Sequence, residues 1–163
     1  MDSIKLLHLL ADDPRATITD LADILGETEE NVKKEKDELE KNKIICGYHT
    51  VVNWDKANIE HVDAYIGVSA KPERDAGYDK IAERIARFPE VSGLYLMSGT
   101  SEFLVSLNAR TMREVADFVG SKLAPIEGVT STVTMFVLKK YKVNGVTMDM
   151  KEEIHDDRMI ISA

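Results

Sequence analysis

Cysteine, tryptophan and long apolar runs are almost absent from this chain of 163 residues. The single cysteine, Cys46, excludes an internal disulfide framework and a metal site built from several cysteines of one chain. No apolar run approaches the roughly 20 residues that a membrane helix needs. Residues 1–13 (MDSIKLLHLLADD) carry acids and a single lysine, unlike a secretory signal. These absences indicate a cytoplasmic protein without a membrane partner.

Basic residues are also scarce. The chain has 29 Asp and Glu against 21 Lys and Arg, a net charge of -8. A protein that binds nucleic acid over a wide surface is usually basic, so any DNA contact must come from a local patch and depend on oligomerisation. The four histidines, His8, His49, His61 and His155, have no neighbour at metal-ligand spacing, and neither a metal nor a cofactor is expected.

Helical patterns begin the chain. Ile4, Leu7, His8 and Ala11 recur at helical spacing, and Pro14 closes the segment. The residues Leu6, Leu9 and Leu10 widen this apolar stripe. A second helix is predicted to follow a Thr19 cap and to end near Gly26. The residues predicted to be buried on this helix are Leu21, Ala22, Ile24 and Leu25.

A third helix is predicted from a Thr28 cap to about Asn42, with Val32 and Leu39 on one face. Together the second and third helices form a helix-turn-helix. Ile44-Ile45 and Val51-Val52 then predict either a short strand pair, which would be a wing, or an extended arm.

The rest of the chain alternates strands and helices. A strand (61–70) and a helix (76–87) precede an apolar hairpin (94–107), and a helix (111–123) and a strand (129–141) follow it. That order is β-α-β-β-α-β, typical of a ferredoxin-like domain. The fold class is therefore α+β, a winged helix-turn-helix followed by a four-stranded sheet with two helices on one face. The other face needs cover, which predicts at least a dimer.

The predicted organisation has four parts. Residues 1–52 form the helix-turn-helix domain and 53–60 the linker. Residues 61–145 form the βαββαβ domain, and 146–163 a C-terminal extension.

Four short motifs lie at the junctions of these elements. They are Leu39-Glu40 with Ile44-Ile45-x-Gly47-Tyr48, Phe88-Pro89-Glu90-Val91, Ser98-Gly99-Thr100-Ser101-Glu102-Phe103, and Gly128-Val129-x-x-Thr132-x-Thr134. In this order and spacing they resemble the Lrp/AsnC (feast/famine) transcriptional regulators over nearly the whole chain. The resemblance implies a regulator that binds double-stranded DNA and whose effector is a small amino acid or related metabolite held between subunits. It also implies a homodimer that assembles further, for example into an octamer.

The effector residues implied by the resemblance are hydroxyls, a glycine and a carboxylate. They are Ser98, Gly99, Thr100, Ser101, Glu102, Thr132 and Thr134. Backbone amides and hydroxyls suit a carboxylate, and Glu102 suits an α-ammonium. Thr100 and Glu102 stand where the family pattern commonly has Asp.

The predicted recognition helix is acidic. Residues 28–40 hold six acids and three lysines and no arginine. Glu35 lies where many relatives carry Arg, and Lys36 where they carry an apolar residue. The predicted DNA contacts are Thr28, Asn31, Lys33, Lys34, Lys36, Arg15 and Thr17.

Two interpretations of this helix stay open. In one, the lysines contact phosphates, so that DNA binding is weak and strongly salt-dependent. In the other, the motif no longer binds DNA and the protein is an effector-binding scaffold or a co-regulator. An enzyme, such as the haem-pathway decarboxylases that share this two-domain plan, would need His and Arg in the pocket. The predicted pocket offers Ser, Thr and Glu, so no catalytic residue is assigned.

Overall fold

A computed structural model describes residues 2–72, 74 and 77–148 of the chain. The chain divides into two compact units, Met1–Thr50 and Val51–Ala163. Within the described residues no helix combines the length and apolar character that crossing a membrane requires.

Three helices make up the first unit. They are α1 (Ser3–Asp12), α2 (Ile18–Leu25) and α3 (Glu29–Lys41). Six buried side chains form its core: Leu6, Leu10, Leu21, Ala22, Val32 and Leu39. The pair Val32 and Leu39 was predicted from its spacing of seven residues, and both side chains are buried.

The apolar faces of α1 and α2 differ in part from those predicted. Leu6 and Leu10, which widen the predicted stripe of α1, are its buried residues, whereas Ile4 and His8 at the centre of that stripe are exposed. In α2, Ile24 is also exposed. Both helices carry apolar residues on more than one side, so their periodicity alone does not identify the buried face.

Threonines cap α2 and α3. Thr28 Oγ1 accepts a hydrogen bond from Asn31 N–H at 3.2 Å, as predicted. The cap of α2 is Thr17 rather than Thr19, and Thr17 Oγ1 accepts from Asp20 N–H at 3.1 Å. The prediction started this helix two residues too late, because Thr19 and Thr17 are equally good caps. Gly26, at φ 67°, ends α2 in the left-handed conformation that glycine tolerates.

The segment between α3 and the first strand contains no strand in the part of the chain that the structure describes. The strand pair predicted at Ile44-Ile45 and Val51-Val52, and with it the wing, is therefore wrong. The Ile44 and Ile45 N–H groups instead donate to the Leu39 carbonyl of α3, at 2.9 and 3.1 Å. Trp54 begins a turn in which Ala57 N–H donates to the Asn53 carbonyl at 3.2 Å.

The second unit contains the sheet. Its elements are β1 (Val62–Ala70), α4 (Asp79–Ala86), β2 (Val91–Leu96), β3 (Phe103–Ala109), α5 (Met112–Phe118), a π-helical turn (Val119–Leu123), β4 (Val129–Phe136), β5 (Lys142–Val143) and β6 (Val146–Thr147). The order β-α-β-β-α-β and the hairpin β2-β3 are as predicted.

Some boundaries differ from the prediction. Helix α4 begins at Asp79, while the predicted start, Ala76, lies outside the described residues. Strand β4 ends at Phe136 instead of Tyr141, and the small hairpin β5-β6 follows it. Residues 149–163, most of the predicted extension, also lie outside the described residues.

One four-stranded antiparallel sheet forms in the order β2-β3-β1-β4. Along β1, Ala64, Ile66 and Val68 are buried against α4 and α5, where Ile81, Ile85, Val115 and Phe118 complete the core. Alternation along β1 was predicted, and these three positions confirm it. The register sets Ile66 opposite Val105 on β3 and Thr134 on β4, so these residues share the helix-covered face.

The opposite face of the sheet has no helix over it in the described residues. Tyr65 lies opposite Met135, and Val133 lies opposite Gly67. Their exposed fractions are 43% for Tyr65, 47% for Met135 and 58% for Val133, and Tyr95 on β2 is 55% exposed. We call Tyr65, Tyr95, Val133 and Met135 the open face.

The hairpin β2-β3 folds back onto the end of β1. Met97 N–H donates to the Glu102 carbonyl at 2.8 Å, which closes the loop 98–101. The β1-β4 ladder is irregular between Ser69 and Ala70. At that point the Ala70 N–H donates to Glu102 Oε2 at 2.8 Å. The Glu102 side chain therefore takes part in holding the hairpin against β1.

We expect Glu102→Ala to lower the free energy of unfolding by about 1–2 kcal/mol, because the Ala70 N–H loses its acceptor. Glu102→Gln keeps a carbonyl oxygen at the same place and should lose less. Urea unfolding followed by the fluorescence of Trp54, the single tryptophan, measures the difference. Equal stability of Glu102→Ala and the parent chain would show that this bond contributes nothing.

Candidate DNA-contact and effector sites

The outer side of α3 displays two lysines. Lys33 and Lys34 are exposed, and within the described residues neither has a hydrogen bond or an ion pair in this chain. Both follow the first turn of the helix, where a recognition helix contacts DNA. Of the predicted DNA contacts, these two have the freest cationic ends.

The other predicted residues of this helix start have partners in their own unit. Thr28 Oγ1 caps the helix, and the Asn31 side-chain amide donates to Glu27 Oε2 at 3.2 Å. An amide that reads a base edge offers a donor and an acceptor together. The Glu27 contact uses one donor of Asn31, and DNA would have to compete for it.

Lys36 belongs to a small cluster with Glu40 and Tyr48. Its Nζ lies 3.8 Å from Glu40 Oε1 and 5.4 Å from the centre of the Tyr48 ring. The Tyr48 hydroxyl donates to Glu40 Oε1 at 2.7 Å. Burial, followed by the Glu40 carboxylate, raises the pKa of Tyr48 to about 12, so the hydroxyl stays protonated. This cluster holds Tyr48, in the segment after α3, against the helix, and it pairs the Lys36 ammonium with Glu40.

Arg15 and Thr17 lie before and at the start of α2. Arg15 donates through its backbone N–H and its Nε to Asp13 Oδ1, at 3.0 and 3.1 Å. These bonds lower the pKa of Asp13, with the backbone bond the larger cause. Thr17 Oγ1 donates to Asp20 Oδ2 at 2.6 Å while it caps the helix. Arg15 and Thr17 are both exposed, but each is paired with an acid.

Glu35 has a structural partner that the sequence did not indicate. Ser3 Oγ donates to Glu35 Oε1 at 2.5 Å, which joins α3 to the first residue of α1. Glu35 thus connects two helices of its own unit. Nothing in the sequence signals this pair, because its members are 32 positions apart.

The loop of the β2-β3 hairpin holds five predicted effector residues. Ser98, Gly99 and Thr100 are exposed at the tip, while Ser101 and Glu102 are half-buried. A Cβ on Gly67 would come within 2.8 Å of Ser101 Oγ, so this hydroxyl lies over β1 on the open face. The tip therefore presents backbone amides and hydroxyls, but Glu102 is already bonded to Ala70.

The other two predicted effector residues lie on the opposite side of the sheet. Thr132 and Thr134 are opposite Val68 and Ile66, so their side chains share the helix-covered face, where they are half-buried. Ser101 lies over Gly67 on the open face. Within one chain the structure does not bring the loop and these two threonines together into one site.

Metal ligands do not cluster in the described part of the chain. No group of three or more His, Cys, Asp or Glu side chains is placed to hold an ion there. Cys46 is exposed, with Sγ 3.0 Å from the Lys43 carbonyl.

Comparison with known proteins identifies the family. Residues 63–147 match the model of the Lrp/AsnC ligand binding domain. The HTH-type transcriptional regulator YugG of Bacillus subtilis (strain 168) is 38% identical over 97% of this chain and 95% of its own length. The regulator LrpA of Pyrococcus abyssi is 32% identical over 84% of this chain and 94% of its own.

A solved structure has the same fold. It is a transcriptional regulator from Neisseria meningitidis in complex with L-Met, with a TM-score of 0.68, 24% identity, and coverage of 91% of this chain and 94% of that one. This structural similarity and the mixed α/β architecture agree with the family match. The chain belongs to the Lrp/AsnC family of HTH-type transcriptional regulators.

Proposed function

We propose that this protein is a ligand-responsive transcriptional regulator that binds double-stranded DNA through residues 1–52. Residues 53–60 link this helix-turn-helix to a ferredoxin-like domain, 61–145, which binds an amino acid or related metabolite and forms the homodimer or a higher homo-oligomer. Residues 146–163 extend beyond it. The observation that carries the DNA part is the exposed pair Lys33 and Lys34 on α3, in a chain whose family consists of such regulators.

The charges around this pair set the strength of the DNA contact. Glu30, Asp37 and Glu38 lie among the lysines on the outer side of α3. Each acid repels phosphate about as strongly as each lysine attracts it, so one copy of the chain has little net attraction for DNA. Binding by a dimer places two such helices on one DNA duplex, which raises affinity through the second, intramolecular contact.

A second copy of the chain is the proposed cover of the open face. The exposed parts of Tyr65, Tyr95, Val133 and Met135 form an apolar surface on the side of the sheet without helices. Burying such a surface on an identical one removes apolar area from water on both copies.

The same arrangement supports an effector site between copies. The loop 98–101 and the threonines of β4 lie on opposite faces of one sheet, so one chain does not assemble them into a single pocket. When copies associate through different surfaces of the sheet, the loop 98–101 of one copy can meet the β4 threonines of another. The backbone amides at the hairpin tip suit a carboxylate, and the bond from Glu102 to Ala70 makes that side chain part of the support of the loop.

One set of observations favours the second candidate, a co-regulator that does not bind DNA. Asn31 is bonded to Glu27, Lys36 is paired with Glu40, and Arg15 with Asp13. If these acids hold their partners more tightly than phosphate does, the helix-turn-helix serves as a scaffold. The DNA titration below separates the two candidates.

The pair Lys33→Gln and Lys34→Gln, made together, should weaken DNA binding roughly equally on all sequences. The slope of log affinity against log salt should fall by about 2, since each lost phosphate contact removes about 0.9. Fluorescence anisotropy with DNA from the protein's own promoter, at two salt concentrations, measures this.

The matched control is Lys71→Gln, an exposed lysine of the second unit, which should bind as the parent does. Parent protein that does not bind DNA at the lower salt, while its oligomer stays intact, would establish the second candidate. An unchanged slope in the double variant would remove the two lysines from the interface.

Val133→Glu tests the open face. A carboxylate at the centre of an apolar interface would be buried without a partner, so the protein should shift towards monomer in sedimentation velocity. Met112→Glu, a similarly exposed apolar residue at the start of α5, is the control and should leave the assembly unchanged. An unaltered oligomer in Val133→Glu would mean that another surface holds the copies together.

Gly99→Asp tests the hairpin tip. A Cβ at Gly99 meets nothing within 4 Å, so the substitution should leave the fold intact. The new carboxylate should repel the carboxylate of an effector and abolish any response of assembly or DNA affinity to the twenty L-amino acids. Gly99→Ala is the steric control and should keep the response. A full response in Gly99→Asp would place the effector elsewhere.

A further inference from the structure

A cavity of about 120 Å³ lies in the second unit, at the end of the sheet away from the hairpin tip. Its walls come from the segment after Thr50, from the start of β1 and from the residues that follow β4. Asp63 on the cavity wall lies four residues along β1 from Gly67, over which Ser101 of the hairpin loop lies, so at about 3.3 Å per residue the two places are about 13 Å apart. The cavity is therefore separate from the effector site proposed above.

A linked set of side chains forms the polar wall. His61 Nε2 lies 2.9 Å from Asp63 Oδ1, and Lys140 Nζ forms an ion pair with Asp63 Oδ2. The Trp54 ring stacks on His61, with ring centres 5.5 Å apart and an angle of 30° between the planes. The side chains of His61, Asp63 and Lys140 are 17%, 20% and 30% exposed, so all three are held at the boundary between protein and solvent.

This wall has unused capacity for an anion. One carboxylate oxygen of Asp63 contacts His61 and the other contacts Lys140, so both oxygens already have partners. Lys140 has three ammonium donors, and the pair with Asp63 uses one of them. Lys139 lies on the same cavity, with its ammonium 5.0 Å from the centre of the Tyr141 ring.

Apolar side chains also line the cavity, and the space is small. Val137, Met148 and the Trp54 ring are among the lining residues. A volume of about 120 Å³ has room for several water molecules or for one small organic molecule. It admits a molecule of two to four carbons with one charged end and one apolar end.

We infer that this cavity is a second small-molecule site, which binds a short-chain carboxylate. Lys140 and Lys139 hold the carboxylate, and Trp54, Val137 and Met148 contact the carbon chain. Two classes share this chemistry, oxo acids, which are anions, and small α-amino acids, which also carry an ammonium. Asp55 on the same wall provides a carboxylate for that ammonium. The site does not depend on DNA binding or on the hairpin tip.

Trp54 is the single tryptophan of the chain, so its fluorescence reports on this cavity directly. The full-length protein is titrated with pyruvate and with L-alanine, each into the millimolar range. A saturable change is expected with at least one of them. Tighter binding of L-alanine that is lost in Asp55→Asn would assign the amino-acid class, and tighter binding of pyruvate the oxo-acid class.

Lys140→Met should weaken the saturable response by about tenfold or more, because it removes a hydrogen bond to a charged group. Lys139→Met tests the same carboxylate from a side chain that is not paired with Asp63, in case Lys140→Met disturbs the fold. Lys142→Met, an exposed lysine outside the cavity wall, is the matched control and should bind as the parent does.

Gly99→Asp should leave the Trp54 response intact, which separates this site from the hairpin tip. The absence of a saturable change with either probe would overturn the proposal. Equal affinity of the parent, Lys140→Met and Lys139→Met would overturn it as well, since the carboxylate would then have no cationic partner here.

Discussion

The organisation of the second unit depends on a sheet that is covered by helices on one face only. Ala64, Ile66 and Val68 of the central strand β1 pack against α4 and α5, while Tyr65 and Gly67 between them point the other way. A strand that alternates in this way has to bury one set of side chains, and the other set is left to solvent or to another molecule. The apolar character of Tyr65, Tyr95, Val133 and Met135 makes another copy the better cover.

This constraint also determines how an effector site can form. Thr132 and Thr134 are placed by the β1-β4 register on the helix-covered face, whereas the hairpin loop reaches over Gly67 on the open face. Residues that the sequence groups into one pocket are thus divided by the sheet of a single chain. In the function proposed above, association between copies is what brings these two sets of residues together.

In the first unit, several side chains proposed to contact DNA already have hydrogen-bond or ion-pair partners within the fold. Thr28 and Thr17 satisfy the N-terminal amides of their helices, and Glu35 joins α3 to α1 through Ser3. The Tyr48, Glu40 and Lys36 cluster holds the residues after α3 onto the helix, and it replaces the apolar contact expected at position 36. Lys33 and Lys34 stay available because they lie on the outer side of α3, away from these pairs.

The sequence by itself determined the element order, the family and the residues that alternate along β1. Those features depend on local signals: caps at Thr28, turns at Gly26 and the strict period of two in Ala64, Ile66 and Val68. The sequence did not identify the buried face where apolar residues lie on several sides of a helix, as at Ile4 and Ile24. It also predicted a strand pair at 44–52, where the Ile44 and Ile45 N–H groups bond to α3 instead.

The tertiary structure alone decided the partners of charged and polar side chains. The partners Glu35 and Ser3 are 32 positions apart, as are Glu102 and Ala70. Asp63, near the start of β1, joins His61 to Lys140, which follows β4. Such pairs depend on strand register and on helix packing, which no local pattern encodes. A residue type therefore indicates what chemistry a position can support, and the fold decides whether that chemistry is free for a ligand or already used within the protein.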